Sequence, residues 1–152
     1  MGTRSLTTFI ESSKNKEGKK VSKKIVTMYR QFDGYPSGMG ADLANFLSAG
    51  KLVNGISSVE KELVFNGMGC LAAQVVAYFQ YSADGFYLQR ESKGSGEEYR
   101  YEVIGDFGTK ELTMKVYAVG FVSKKGKYID KTKLLFNGTP KQFLESDLMK
   151  KE

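Results

Sequence analysis

The sequence predicts an α+β domain, with an antiparallel sheet made of an N-terminal hairpin and a C-terminal meander and packed by two or three helices. Three observations carry this reading. Residues 3–10, 24–32 and 85–119 alternate with period two and are rich in β-branched and aromatic side chains. Residues 39–47 and 67–81 repeat at helical spacing instead. Thr139-Pro140 joins an N-cap residue to a proline at the first helical position, which starts a helix. The chain has 152 residues, 41% of them hydrophobic, and ten Phe. That is enough to bury the core of one domain spanning 1–152.

Taken in order, TRSLTTFI (3–10) reads as a strand with Arg4, Leu6, Thr8 and Ile10 on one parity. Residues 24–32 read as its hairpin partner, with Val26, Met28, Arg30 and Phe32 on one parity. The intervening ESSKNKEGKKVSKK (11–24) holds six lysines against two glutamates. It reads as a solvated hairpin tip, or alternatively as a contact for nucleic acid. It lacks an aromatic for base stacking and an Arg for bidentate readout.

Next comes the turn-rich FDGYPSGMG. Met39, Leu43, Phe46 and Leu47 then fall on one helical face, with Ser37 or Gly38 as cap. The helix is expected to end near Ala49-Gly50, with Gly50 left-handed. Residues 51–66 read as a connection with an Asn-Gly turn and a short strand over 62–65. Residues 67–81 give the clearest helix, with Asn66 as N-cap. Leu71, Ala72, Val75, Val76 and Phe79 form its apolar face. Small residues Gly69, Ala72, Ala73 and Ala77 would let it approach a sheet closely.

Three strands follow, GFYLQRE, EEYRYEVIG and KELTMKVYAV. Their links, KGSG (93–96) and DFGTK (106–110), read as hairpin turns. The inward-facing candidates are Leu88, Tyr99, Tyr101, Val103, Leu112, Met114 and Val116. A basic turn, SKKGK (123–127), precedes a short strand at 133–136. The last helix, KQFLESDLMKK, should pack Phe143, Leu144 and Leu148.

Several function classes are excluded by composition. There is no histidine and only one cysteine, Cys70. Ser-His-Asp and Cys-His catalysis, His-based zinc sites and an internal disulfide are therefore absent. Cys70 reads as a small apolar residue on a helix. No catalytic, metal or cofactor motif is found, so no cofactor is expected. No apolar run approaches the ~18 residues that would span a bilayer, and MGTRSLTTFI does not read as a signal peptide. A cytoplasmic protein without membrane association is expected. The formal net charge is +6.

Two helices open on the same Gly-Met-Gly, in SGMGADL and NGMGCLA. Bare helix N-termini attract anions, and glycine lets a ligand approach the backbone. Arg4 and Arg30 each sit on the otherwise apolar parity of a strand. Each must pair with Asp33, Asp42 or a C-terminal glutamate, snorkel to an edge, or point into an anion pocket. The candidate ligand-binding set is therefore Arg4, Tyr29, Arg30, Asp33, Gly34, Tyr35, Ser37, Gly38 and Gly40, facing Asn66, Gly67, Met68 and Gly69 across a cleft. The competing reading gives these glycines to tight turns and helix–sheet packing. The motif is neither a Walker loop nor a dinucleotide fingerprint. Glu97, Glu98 and Asp33 are the carboxylates near turn glycines, candidates for acid–base work.

The segments GTRSLT, MYRQFDGYPSGMG, NGMGCLAAQ, GFYLQ and GEEYRYEV together resemble a family of small bacteriophage and bacterial proteins. The resemblance spans about residues 2–140. It implies a small cytoplasmic protein of phage type, in the host cytoplasm if phage-encoded, and carries over no catalytic residue. The first functional expectation is a binding module for a small anionic ligand, a nucleotide or nucleotide-derived immune signal, serving sequestration against host defence. The second is a nucleic-acid or host-protein partner using the hairpin 11–24. The third is a His-independent hydrolase. A homo-oligomer stays open.

Overall fold

The computed structural model describes residues 2–55, 63–80 and 83–150. The fold is α+β. A six-stranded sheet carries three helices on one face, and its strand order is β10-β7-β6-β1-β2-β5. Strands β1 (Ser5–Lys14) and β2 (Lys20–Arg30) form the expected long hairpin. Its strands run further than the alternation suggested, and the turn closes over residues 15–19. There Asn15 Oδ1 accepts from the backbone N–H of Glu17 and Lys19. The lysines expected at a tip are therefore spread along a ribbon.

Beyond β2 the chain makes a helical excursion. A wide, π-type turn over Pro36–Gly40 leads directly into α1 (Ala41–Ser48). Ser37 and Gly38 do not cap the helix: both lie inside the turn, and the cap position before α1 is Gly40, with no side-chain hydrogen bond. Gly50 is not left-handed; its lack of a side chain lets Phe65 pack against it, with a Cβ there only 2.8 Å from the ring. Two short parallel strands, β3 (Lys51–Val53) and β4 (Val64–Asn66), precede α2 (Gly67–Phe79). Glu62 of the expected short strand lies outside the described residues.

Helix α2 buries Leu71, Ala72, Val75 and Phe79 as its periodicity predicts. Of the small residues expected to bring the helix close, Ala72 is buried in the core, whereas Gly69, Ala73 and Ala77 are exposed. The sheet contributes Gly105, where an added Cβ would meet Met68 and Leu52 side chains.

The expected meander is only partly formed. Strands β6 (Tyr99–Asp106) and β7 (Leu112–Ala118) pair through the predicted turn at 106–110, and β10 (Lys133–Gly138) pairs with β7. Asp106 Oδ1 holds the turn by accepting from Gly108 and Thr109 N–H at 2.8 and 2.9 Å. Strand β5 (Phe86–Gln89), however, pairs antiparallel with β2 at the sheet edge. KGSG is therefore not a hairpin turn but part of a crossing connection. Leu88, expected inward, is 57% exposed on this edge strand. The connection allows β6 to pair with β1 in parallel, Ser5 opposite Tyr99 through Ser12 opposite Asp106.

The core lies between the sheet and the helices. Phe9, Met28, Tyr101, Val103, Met114 and Val116 meet Met39, Leu43, Leu47, Leu71, Val75 and Phe143. Thr139 and Gln142 form a reciprocal capping box at the start of α3 (Pro140–Leu144). The predicted last helix stops after one turn and resumes as a 3₁₀ turn over Asp147–Met149, with Ser146 extended between them. Phe143 is fully buried, and Leu144 and Leu148 are partly buried against the core. Between β7 and β10 stands a separate two-stranded ribbon, β8 (Phe121–Lys124) and β9 (Lys127–Asp130).

The turn before α1 is locked to the sheet from below. Tyr101 Oη, buried in the core, donates to Gly34 O at 2.7 Å, and Gly34 N donates to Thr3 O at 2.8 Å. A Cβ at Gly34 would sit 2.7 to 2.9 Å from Ser5 Cβ and the Arg4–Ser5 backbone. Backbone cannot yield as a side-chain tip can, so Gly34→Ala is expected to cost about 2–3 kcal/mol. Tyr101→Phe should cost about 1–2 kcal/mol by leaving Gly34 O unpaired. Urea unfolding of both variants checks this; a Gly34→Ala variant of natural stability would mean that the turn is not held by this approach.

Candidate functional site

The register of β1 and β2 decides the fate of the predicted cleft. Ser5 lies opposite Arg30 and Leu6 opposite Tyr29. Directly opposed residues share a face, so Arg30 faces the helices with Ser5 while Arg4 and Tyr29 face the other side. The two arginines cannot enter one pocket. Arg30 instead takes the ion-pair alternative: Nη1 lies 3.2 Å from Asp42 Oδ2 and Nε donates to Phe32 O at 2.6 Å. Its guanidinium also lies against the rings of Phe79 and Phe86.

The two Gly-Met-Gly segments are also separated. Arg30 and the 34–40 turn lie at the Ser5 end of β1, beside the C-terminal residue Phe79 of α2. Met68 and the start of α2 pack on Gly105, which registers with Glu11 near the other end. The expected cleft between them does not form, because α2 runs along the sheet and carries its N-terminus to the far side.

Most of the remaining residues of that set have structural roles. Asp33 adopts φ 56°, a left-handed conformation that Asp tolerates better than most residues, and its C=O accepts from Met39 N. Tyr35 Oη donates to Asp33 Oδ1 at 3.4 Å, and Gly38 N to Tyr35 O at 2.9 Å. A Cβ at Gly40 would meet Phe143 and Tyr101. Tyr35 and Ser37 line a cavity of about 270 Å³ with Tyr99, Leu135 and Leu148. Asn66 does not cap α2; its Oδ1 accepts from Gly55 N at 2.7 Å. Gly67 supplies a positive φ, and Gly69 faces open space. Arg4 packs its guanidinium over Gly96, and its backbone N–H meets Glu98 Oε2 at 3.3 Å. Cys70 is half-buried beside Gln74.

A different site emerges on the face away from the helices. Residues 90–98 leave β5 at the level of Thr8 and return to β6 at the level of Ser5, crossing that face. The crossing, with the root of the β8–β9 ribbon, encloses a cavity of about 520 Å³. Thr8, from the centre of the sheet, lines it and shares a buried hydroxyl contact with Thr27 at 3.0 Å. Lys24 comes from β2, Lys93 from the crossing, Arg100 and Glu102 from β6, Tyr117 from β7, and Asp130 and Thr132 from the ribbon root. The bulge in β2 between its pairings with Phe9 and Ile10 puts Lys24 opposite Ile10, on this face. Past the bulge, Lys20 pairs with Lys14 on the same face, which extends a basic stripe outward.

Arg100 is the best-held of these groups. Its Nε donates to Glu97 Oε2 at 2.6 Å, and the Glu97 side chain is only 2% exposed. Gly94 and Ser95 N–H donate to the same carboxylate at 3.3 and 2.8 Å. The Nη groups of Arg100 make no hydrogen bond among the described residues. Lys24 Nζ donates to Ser92 Oγ at 2.6 Å. Tyr117 Oη donates to Glu102 Oε1 at 3.3 Å. Burial first, then the Glu102 carboxylate, raises the Tyr117 phenol above its usual value. Thr132, whose N–H donates to Asp130 Oδ1 at 2.8 Å, and then Arg100 and Lys93, keep the Asp130 carboxyl low.

The cavity thus offers three cations, of which Arg100 and Lys24 have hydrogen-bond partners, together with two carboxylates and several hydroxyls. No group of three potential metal ligands occurs among the described residues, and no helix there is long and apolar enough to cross a membrane. The carboxylates singled out in the sequence are otherwise engaged: Glu97 holds Arg100, Glu98 meets Arg4 N, and Asp33 shapes a turn. The sequence reading missed Lys24, Lys93, Arg100, Glu102, Tyr117 and Asp130 as a set. One signal was available: Arg100, Glu102 and Tyr117 occupy the parities opposite the apolar residues of β6 and β7. No family model, curated protein or solved structure matches this chain.

Burial alone would raise the Glu97 carboxyl above its ordinary 4.5, but the bond from Arg100 and the backbone N–H groups hold it below. A lowered folded-state value stabilises fully above the unfolded one and is lost as pH falls through it. Glu97→Gln is expected to cost about 2–4 kcal/mol at pH 7, with the deficit shrinking below about pH 4.5. Urea unfolding at a series of pH values reads this. A deficit that does not vary with pH would mean that the Glu97 charge contributes nothing.

Proposed function

We propose that the protein is a binding module for a small phosphorylated ligand, held in the cavity beneath the 90–98 crossing by Lys24, Lys93 and Arg100. One observation carries the reading: cations from three separate chain segments converge on a single polar cavity. Arg100 is oriented by Glu97 while its Nη groups make no hydrogen bond among the described residues. A planar guanidinium held in this way suits the bidentate recognition of phosphate. The volume is within the usual range for small-ligand sites. Glu102 and Asp130 are acceptors that suit the hydroxyls of a sugar. The basic stripe of Lys14 and Lys20 would draw anions toward the site. Sequestration of a nucleotide-derived defence signal in a host cytoplasm is the use that the likeness to phage proteins adds; the cavity chemistry supports only the ligand class.

Calorimetry with ribose 5-phosphate, mononucleotides and cyclic dinucleotides tests the reading. Lys24→Ala and Lys93→Ala remove exposed side chains, so the fold should survive. Each is expected to weaken binding about ten-fold or more, on the scale of about 1.5–3 kcal/mol for a charged hydrogen bond. If the natural protein binds none of these ligands, the reading fails.

A second reading rests on the same stripe. Lys14, Lys20 and Lys24 share one face of the β1–β2 ribbon, an arrangement suited to a phosphate backbone. It predicts oligonucleotide binding whose affinity falls steeply with salt. In Lys14→Ala/Lys20→Ala, fluorescence anisotropy should show a shallower salt slope by about two units. An unaltered slope would remove this reading.

A further inference from the structure

The β8–β9 ribbon is the most exposed apolar feature among the described residues. All eight of its strand residues are exposed, including Tyr128 at 81% and Phe121 at 56%. Its geometry is nevertheless well defined. Lys125 and Gly126 both have positive φ, 52° and 77°, which gives a tight two-residue turn matched to strand twist. At its base, Lys131 N donates to Gly120 O at 2.7 Å and Val119 N to Glu98 O at 2.9 Å. The second bond ties the ribbon to the crossing that carries Glu97.

The register sets what each face carries. Phe121 pairs with Asp130 and Ser123 with Tyr128. Phe121, Tyr128 and Asp130 therefore share one face, and Asp130 lines the cavity. Phe121 and Tyr128 are diagonal neighbours there, about 7–8 Å apart at Cα. Two rings at that spacing can contact one planar group. Val122, Lys124, Lys127 and Ile129 occupy the opposite face.

We infer that this ribbon face supplies the ring-binding half of the cavity site, and that the ligand is a phosphate carrying a planar aromatic group, of the nucleotide class, stacked on Phe121 and Tyr128. The inference rests on the reading of the cavity as a phosphate site. A phosphate at Arg100 and an acceptor at Asp130 leave the aromatic pair as the next surface that an extended ligand meets. Stacking on an aromatic side chain is tolerant of base identity, so the ribbon defines a ligand class and does not select one base. A protein or nucleic-acid partner on the ribbon alone would have no need for the cavity.

The test compares AMP, GMP and ribose 5-phosphate by calorimetry on the intact protein and on Phe121→Ala/Tyr128→Ala. The natural protein is expected to bind the nucleotides about ten-fold or more tighter than ribose 5-phosphate. The double variant should bring the nucleotides down to the level of ribose 5-phosphate, and Tyr128→Phe should retain the preference. Equal affinity for all three ligands in the natural protein, or a double variant that keeps the preference, overturns the ring-binding assignment while the phosphate site stands. Absence of binding to all three overturns both. Binding only to single-stranded oligonucleotides, lost in the double variant, also overturns it, because the ribbon then acts apart from the cavity.

Discussion

The parallel pairing of β1 with β6 is the constraint on which the rest of the structure depends. Parallel neighbours cannot be joined by a tight turn; the chain must leave the sheet and return. Here it leaves twice. Between β2 and β5 it passes over one face as α1, β3, β4 and α2, and between β5 and β6 it passes over the other as residues 90–98. The first passage supplies most of the apolar core. The second has too few residues for a helical layer and covers the opposite face with polar backbone and side chains. The difference between an apolar helical face and a polar loop-covered face follows from these two crossings.

Burial of polar groups on the loop-covered face has to be compensated by specific partners. Thr8 meets Thr27, and Glu97 collects Arg100 together with the N–H groups of Gly94 and Ser95. The crossing is thereby held to the sheet by directional contacts, since it has little apolar surface to bury. The same contacts orient Arg100 toward a cavity that the crossing only partly fills. The hold on the crossing and the orientation of Arg100 have one physical origin, the buried carboxylate of Glu97.

Much of the architecture is legible in the chain. The apolar spacing of Leu71, Ala72, Val75 and Phe79 identifies α2 and its buried face. The Thr139–Gln142 box identifies the start of α3, and the Asp106 turn identifies the β6–β7 hairpin. Each is a local matter, decided within a few residues by hydrogen-bond geometry or period. The misreadings concern pairing. KGSG has the composition of a hairpin turn, and Gly94 and Gly96 do take positive φ. Nothing local tells a chain that turns back on its neighbour from one that crosses two strands to reach a third. Arg4 and Arg30 look equivalent by parity along their own strands, and only the register of Ser5 against Arg30 sends them to opposite faces.

The sequence by itself determined the α+β class, the period of each long element, the absence of histidine chemistry and the basic character of the chain. These depend on composition and on short-range sterics, which every segment carries with it. The tertiary structure alone decided that the Gly-Met-Gly segments stand apart, that Arg30 is closed off by Asp42, and that Lys24, Lys93 and Arg100 meet. Those outcomes depend on strand order and register, quantities set by the free energy of the whole sheet with its two crossings.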